Sequence, residues 1–179
     1  MNDRLKIYLT KNLNQNLINK ILKLKSTNWK NTLSSQKKWF KKNLFKNDIH
    51  IILENKKILV GYVALRKRIF YYDDNHKYIN QILLFDTLII RKKYRGNGYA
   101  EKLVKKTIKI SDKLKTLMIL SCKKEVLDFY VKLGWKKIYK KNLNILDDKS
   151  LKNFLLIYKK NLSLKGQIFK KKINLYLNK

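Results

Sequence analysis

The residues most able to do chemistry lie close together, in the stretch Leu83 to Val104, LLFDTLIIRKKYRGNGYAEKLV. Gly96 and Gly98 stand behind the cations Arg91, Lys92, Lys93 and Arg95 and ahead of apolar residues at Ala100, Leu103, Val104 and Ile108. That last spacing is helical, so a glycine turn opens a helix here. The first backbone N–H groups of a helix have no intrahelical partner and point outward at the positive end of its dipole, where phosphate binds. Glycine lets the backbone approach a pyrophosphate and take positive φ where a concave ring of amides requires it. A surface turn with solvated lysines has the same appearance, because G-x-G alone is a weak motif. Upstream, Asp86 interrupts the otherwise apolar run Ile82 to Ile90, where a carboxylate needs a reason to be present. Strand alternation puts its side chain on the face of Leu88. It either handles a proton at a site or is a hydrogen-bonded structural aspartate at a strand bulge.

The elements that position these groups are legible on either side. Arg4 to Thr10 alternates as a first strand, with Leu5, Ile7 and Leu9 on one face. Asn12 to Lys25 is an amphipathic helix striped by Leu13, Leu17, Ile18, Ile21 and Leu22. From Asn28 to Phe45, Trp29, Leu33, Trp39, Phe40, Leu44 and Phe45 fall at near-helical spacing, with Ser34 or Ser35 as the cap. Asp48 to Glu54 and Ile58 to Arg66 form a hairpin across Asn55, Lys56 and Lys57, and Gly61 marks a bulge or a close contact. Lys67 to Gln81 reads as a polar loop with its tip at Asp73, Asp74 and Asn75, leading into the strand Ile82 to Ile90.

After the helix that begins near Ala100, Lys115 to Cys122 is a short strand, parallel to its predecessor because a helix crossover intervenes. Lys123 to Leu133 is the next helix, with Val126, Leu127, Tyr130 and Val131 inward and Gly134 to end it. Trp135 to Tyr139 and Asn153 to Tyr158 make a final strand pair around the turn-rich connector NILDDKS. Leu164 to Lys179 reads as an added strand, a short helix or a frayed tail. With no repeat and no linker, one domain over residues 1–179 is expected, 164–179 being an extension or tail.

Arg95, Gly96, Asn97, Gly98, Tyr99 and Ala100 spell R-x-x-G-x-A, which resembles the Q/R-x-x-G-x-G/A acyl-CoA signature of the GNAT superfamily of N-acetyltransferases. About thirty residues on, LMILSC and KKEVLDFYVKLGWKKI resemble that family's fifth strand and fourth helix, including the F-Y-x-x-x-G-[FW] ending. The pair of motifs is more specific than either alone. Nucleotide-binding alternatives fit poorly, since there is no G-x-x-x-x-G-K-[ST] and no third glycine of a dinucleotide fingerprint.

The resemblance implies an α/β (α+β) fold: a mixed, mostly antiparallel sheet of about six to seven strands, flanked by about four helices, with a splayed strand pair holding the cofactor. It implies acetyl-CoA as co-substrate, bound through Arg95, Gly96, Asn97, Gly98, Tyr99 and Ala100, with the backbone of Ile89 and Ile90 on the pantetheine arm. The backbone of Leu88 would meet the thioester carbonyl. Tyr130, four residues before Gly134, matches a tyrosine that protonates the leaving thiolate; packing is its other explanation. Asp86 would deprotonate or hold the acceptor's ammonium. The two N-terminal helices would wall the acceptor side. Cys122 is disfavoured as a nucleophile because no histidine neighbours it in sequence.

Composition sets the outer bounds. One cysteine excludes an internal disulfide and suits a reducing cytosol. His50 and His76 sit apart from any ligand-spaced cluster, so no metal site is expected. No apolar run is long enough to span a membrane and the first residues, MNDRLKIYLT, lack a signal peptide's apolar core, which predicts a soluble cytoplasmic protein. The charge is extreme: 44 Lys+Arg against 12 Asp+Glu, net +32. It implies attraction to nucleic acid or the ribosome. It fits better a lysine- and asparagine-rich composition written by an AT-rich genome, since the basic residues are spread along the whole chain. Two functions of different class follow: an N-acetyltransferase acting on a protein, peptide, polyamine or aminosugar amine, and a basic nucleic-acid-binding protein on the same fold without turnover. An acyl-CoA sensor is a third. The sequence leaves the oligomeric state open.

Overall fold

The computed structural model describes residues 3–29, 31–72, 79–138, 143–145, 154–160 and 173–175. In chain order they form β1 (Asp3–Leu9), α1 (Gln15–Ser26), α2 (Leu33–Asn43), β2 (Ile49–Asn55), β3 (Ile58–Tyr72), β4 (Ile79–Ile90), α3 (Tyr99–Leu114), β5 (Leu117–Cys122), α4 (Leu127–Lys132), β6 (Lys136–Ile138), β7 (Leu143–Ile145), β8 (Phe154–Tyr158) and β9 (Ile173–Leu175). Strand order is β1-β2-β3-β4-β5-β8-β6, a seven-strand path that is mostly antiparallel, with four α-helices, as the sequence implied. The chain forms two compact units, Met1–Arg66 with Asp86–Thr107 and Lys67–Phe85 with Ile108–Lys179.

In the first unit α1 and α2 start where a side chain replaces a missing carbonyl. Asn14 accepts from the Leu17 N–H at 2.9 Å and opens α1. Thr32 accepts from the Ser35 N–H at 3.1 Å and opens α2, so the cap is neither Ser34 nor Ser35. The aromatic spacing misled because Trp29 precedes the helix and is exposed. The apolar stripe of α1 packs with Phe40, Ile52, Tyr62 and Ile89 into one core, each buried side chain stabilising by roughly 1.5–3 kcal/mol. β2 and β3 pair as a hairpin across Lys56 (φ 47°) and Lys57 (φ 66°), positive at both central residues as a type I′ turn requires. Its register shifts at Leu53/Glu54, opposite Gly61 and Leu59. A Cβ on Gly61 would stand 2.7 Å from Ile90 Cδ1, so the residue answers to both a bulge and a close contact. β1 departs from expectation: Ile7 is 46% exposed, while Tyr8, on the opposite face, packs on the core.

In the second unit β4 pairs in parallel with β5 from Ile82/Leu117 to Leu84/Ile119, and β5 pairs antiparallel with β8, which also carries β6. Trp135 is the largest fully buried side chain and meets Phe85 edge-on at 5.5 Å. Several expectations are corrected here. β3 continues through Tyr72 and β4 begins at Ile79, so much of the anticipated polar loop is strand; its tip at 73–78 lies outside the described residues. The reason is that Ile69 to Tyr72 favour strand and Phe70 to Tyr72 pair with β9, far along the chain. Within the connector and the tail, β7 and β9 pair with each other in parallel, a partnership no local pattern reveals. The fourth helix is shorter than expected, Leu127–Lys132 after a 3-10 turn, with Val126 (44%) and Val131 (43%) exposed and only Leu127 and Tyr130 buried.

His50 belongs to the first unit's core and not to a metal site. It is fully buried, stacked between Phe40 and Tyr62, and hydrogen-bonded at both ring nitrogens, to Thr10 Oγ1 at 2.8 Å and Tyr62 Oη at 2.7 Å. Burial, and then the charge of Lys25, pushes its pKa down to about 4. The folded value lies below the ordinary 6.5, so the unfolded chain binds the proton first as pH falls. Stability is therefore complete above pH 6.5 and is lost between 6.5 and 4, by on the order of 3 kcal/mol. Denaturant melts of wild type and His50→Gln across that window are expected to differ in slope by this amount; parallel pH profiles would show that His50 is not the group responsible.

Candidate active site

The chain leaves β4 at Ile90 and turns through a 3-10 turn at Lys92–Tyr94 into the two glycines. Arg91 N–H bonds Val60 O at 2.8 Å and its Nε bonds Leu59 O at 3.2 Å, which ties the start of the turn to β3. Arg95 Nε donates to Ile90 O at 3.1 Å and its Nη2 to Asn28 Oδ1 at 2.9 Å. Asn97 Nδ2 donates to Tyr94 O and Arg95 O. Gly96 and Gly98 have φ of 80° and 71°, and nothing lies within 4 Å of where their Cβ atoms would be. Backbone conformation, not crowding, demands glycine there, and the space in front is open. The Lys102 N–H, on Gly98 O at 3.0 Å, is the first amide of the helix to meet a helical carbonyl, which leaves those of Tyr99, Ala100 and Glu101 as unpaired first-turn donors. Tyr99 itself turns inward, buried, its hydroxyl between Asp3 Oδ1 and Asn55 Nδ2 at 3.2 Å each. Its ring anchors α3, so only its backbone can face a ligand.

Just upstream, β4 breaks its own regularity. Thr87 has φ 58°, a costly conformation for a β-branched residue, so the alternation that placed Asp86 and Leu88 on one face does not carry across it. Asp86 sits at this irregularity and is hydrogen-bonded: Oδ1 accepts from Thr87 Oγ1 at 2.9 Å and Oδ2 from Arg66 Nη1 at 3.2 Å. It also faces a cleft of about 410 Å³ lined by Lys25, Trp29, Asn31, Ser35, Gln36, Trp39, Asp86 and Thr87. Trp29 and Trp39 thus do border a cavity with α1 and α2. Ile89 and Ile90 bury their side chains and Leu88 is half-buried, leaving backbone as what these residues can offer.

A sequence profile described as an acetyltransferase (GNAT) domain matches residues 46–137, just over half of the chain, including β4, the glycine turn and α4. The chain belongs to the GNAT family of acetyltransferases. Escherichia coli ElaA shares its fold with a TM-score of 0.64 at 13% identity, over 88% of this chain and 99% of that one. An acyl-CoA N-acyltransferase from Pseudomonas aeruginosa does so with 0.63 at 14%, over 87% and 98%. The GNAT family N-acetyltransferase YhbS of Escherichia coli, solved in complex with CoA, gives 0.64 at 13%, over 88% and 81%. At such identities these are likenesses of fold. No curated protein sequence matches.

The GNAT-type tyrosine of the sequence reading, Tyr130, lies in the second unit, among Phe85 at 5.8 Å, Phe129 at 5.1 Å and Trp135 at 6.0 Å. Burial, with a smaller part from Cys122, raises its pKa well above the usual phenol range. Cys122 is itself buried and burial pushes its thiol up, the opposite of what an activated nucleophile needs. Among the described residues no three His, Cys, Asp or Glu side chains form a metal-binding group, and no helix is long and apolar enough to cross a membrane.

Lys25, which lines the cleft, and Arg66, which pairs with Asp86 behind it, escaped the sequence reading, and both carried a signal. Lys25 follows Ile21 by four and Ile18 by seven, on the buried stripe of α1. Arg66 follows Tyr62 and Ala64 at strand spacing, on their core face. Lys25 is 5% exposed with its ammonium 3.8 Å from the Trp39 ring centroid. Burial lowers its pKa to about 8, partly offset by Asp86 and reinforced by Arg66. The folded value is below the ordinary 10.5, so the charged form is penalised in full below pH 8 and the penalty disappears above 10.5. Lys25→Met is therefore expected to stabilise the protein at pH 7, by about 1–3 kcal/mol, with the gain fading as pH approaches 10.5. Chemical denaturation at pH 7 and pH 10.5 measures it; a destabilised variant at pH 7 would contradict the assignment.

Proposed function

We propose that this chain is an acetyl-CoA-dependent N-acetyltransferase, one domain over residues 1–179, that moves the acetyl group to a primary amine. The observation that carries the reading is the Gly96–Gly98 turn: positive φ, open space where side chains would stand, and the first-turn amides of α3 directly after it. The solved CoA complex of YhbS, whose fold this chain shares, supports coenzyme binding here. In this reading Gly96, Asn97, Gly98, Tyr99 and Ala100 hold the diphosphate through backbone N–H groups, with the charge of Arg95 beside them. The backbone of Leu88, Ile89 and Ile90 bonds the pantetheine arm. A cytosolic setting suits the single buried cysteine.

Bound acetyl-CoA would supply the acetyl thioester, and the chain's own groups do the rest. The Leu88 N–H donates to the carbonyl oxygen as that oxygen gains charge. Asp86 holds the acceptor's ammonium and passes its proton to water in the cleft. The amine's lone pair makes the N–C bond as the C–S bond breaks, and the proton that the new amide nitrogen sheds passes through water to the departing sulfur. The competing nucleic-acid reading rests on net charge alone.

Saturating acetyl-CoA, which binds the folded state only, is expected to raise Tm by about 5 °C or more. The double variant Arg95→Glu, Gly98→Glu is expected to lose the shift while keeping its far-UV circular dichroism. A wild-type melting curve that neither acetyl-CoA nor CoA moves would contradict the proposal.

A further inference from the structure

Lys25 in the Asp86 cleft and Arg66 behind it set two positive charges beside one carboxylate. Lys25, which lines the cleft, has no carboxylate within ion-pair distance among the described residues. Arg66, 3% exposed and 5.3 Å from the same Trp39 ring, spends Nη1 on Asp86 and Nε on Asn43 O. Its Nη2 is buried with no hydrogen-bond partner. Of two buried cations near one carboxylate only Arg66 is paired with it, and one charged donor of Arg66 is orphaned. Such groups destabilise a fold unless an anion meets them.

We infer that the acceptor is a small amine that carries a carboxylate near its amino group, with Lys25 facing the carboxylate and Asp86 facing the ammonium. The inference rests on the acyltransferase reading above. The cleft's two signs of charge are held on different elements, the ammonium of Lys25 on α1 and the carboxylate of Asp86 on β4, as a zwitterion requires. Arg66 adds to the positive field from behind its pair with Asp86. The volume of about 410 Å³ is that of a small-molecule site, and Trp29 and Trp39 give apolar walls for a short carbon chain. A polyamine or an aminosugar would bring further ammonium groups toward Lys25 and be repelled. The strand irregularity at Thr87 puts this cleft one residue from Leu88, whose backbone the reading places at the thioester carbonyl.

The test is thiol release from acetyl-CoA with amino acids, their C-terminal amides and their decarboxylated amines, run beside spermidine and an aminoglycoside. Free amino acids of at least one side-chain type are expected to exceed their amides by about tenfold or more in kcat/KM, chiefly through KM. Lys25→Met is expected to erase that preference, and Lys25→Arg to restore part of it, while both keep the acetyl-CoA thermal shift. Faster turnover of spermidine or of the amides, no turnover of any carboxylate-bearing amine, or a preference that survives in Lys25→Met overturns the inference. These outcomes stand apart from failure of the underlying reading, which is marked by the absence of any acetyl-CoA thermal shift in wild type.

Discussion

A helix cannot satisfy its own first N–H groups, and at the start of α3 this chain leaves them facing open space. Elsewhere in the first unit helix starts are closed by a side chain, Asn14 for α1 and Thr32 for α2. At α3 the preceding residues are glycines in the left-handed region, and the side chains nearby are turned to other work: Asn97 to Tyr94 O and Arg95 O, Tyr99 to Asp3 and Asn55. The turn is braced from behind by Arg91 on β3 and by Arg95 on the last carbonyl of β4. A rigidly supported concavity of amide donors, with cations beside it, is a site for a polyanion. The order of β4, turn and helix follows from that requirement.

The cleft beside Asp86 shows the other mark of function, which is local cost. Thr87 holds a conformation that β-branched residues avoid, Lys25 keeps an ammonium where burial opposes it, and Arg66 keeps a guanidinium nitrogen with nothing to bond. Each is unfavourable alone, and all three fall within one group of residues on α1, β3 and β4. Cores elsewhere in the unit obey the ordinary rules, as His50 does with both ring nitrogens satisfied. Departures concentrated in one place are expected where selection acts on chemistry more than on stability.

Much of this was legible from local pattern. The apolar run, the glycine pair and the helical spacing after Ala100 predicted β4, the turn and α3, because strand, turn and helix each leave a short-range signature. The hairpin at Lys56 and Lys57 was legible for the same reason. Long-range pairing was not: β9 on β3 and β7 on β9 join segments with no shared local signal. Asp86 stands out in the sequence as a carboxylate in an apolar run, but strand alternation does not carry past Thr87, since a positive φ in a threonine is invisible to periodicity. Lys25 and Arg66 are hard to see in the sequence, because lysine and arginine in a chain with 44 of them read as solvated surface. Their positions on the apolar stripe of α1 and the core face of β3 were the only clue.

Backbone hydrogen exchange with and without CoA reports on the amides themselves. If the turn into α3 cradles the coenzyme's diphosphate, the N–H groups from Gly96 to Glu101, together with those of Leu88 to Ile90, slow markedly on binding while the rest of the first unit changes little. Exchange that stays unchanged at those amides, with protection appearing at another surface, would contradict it.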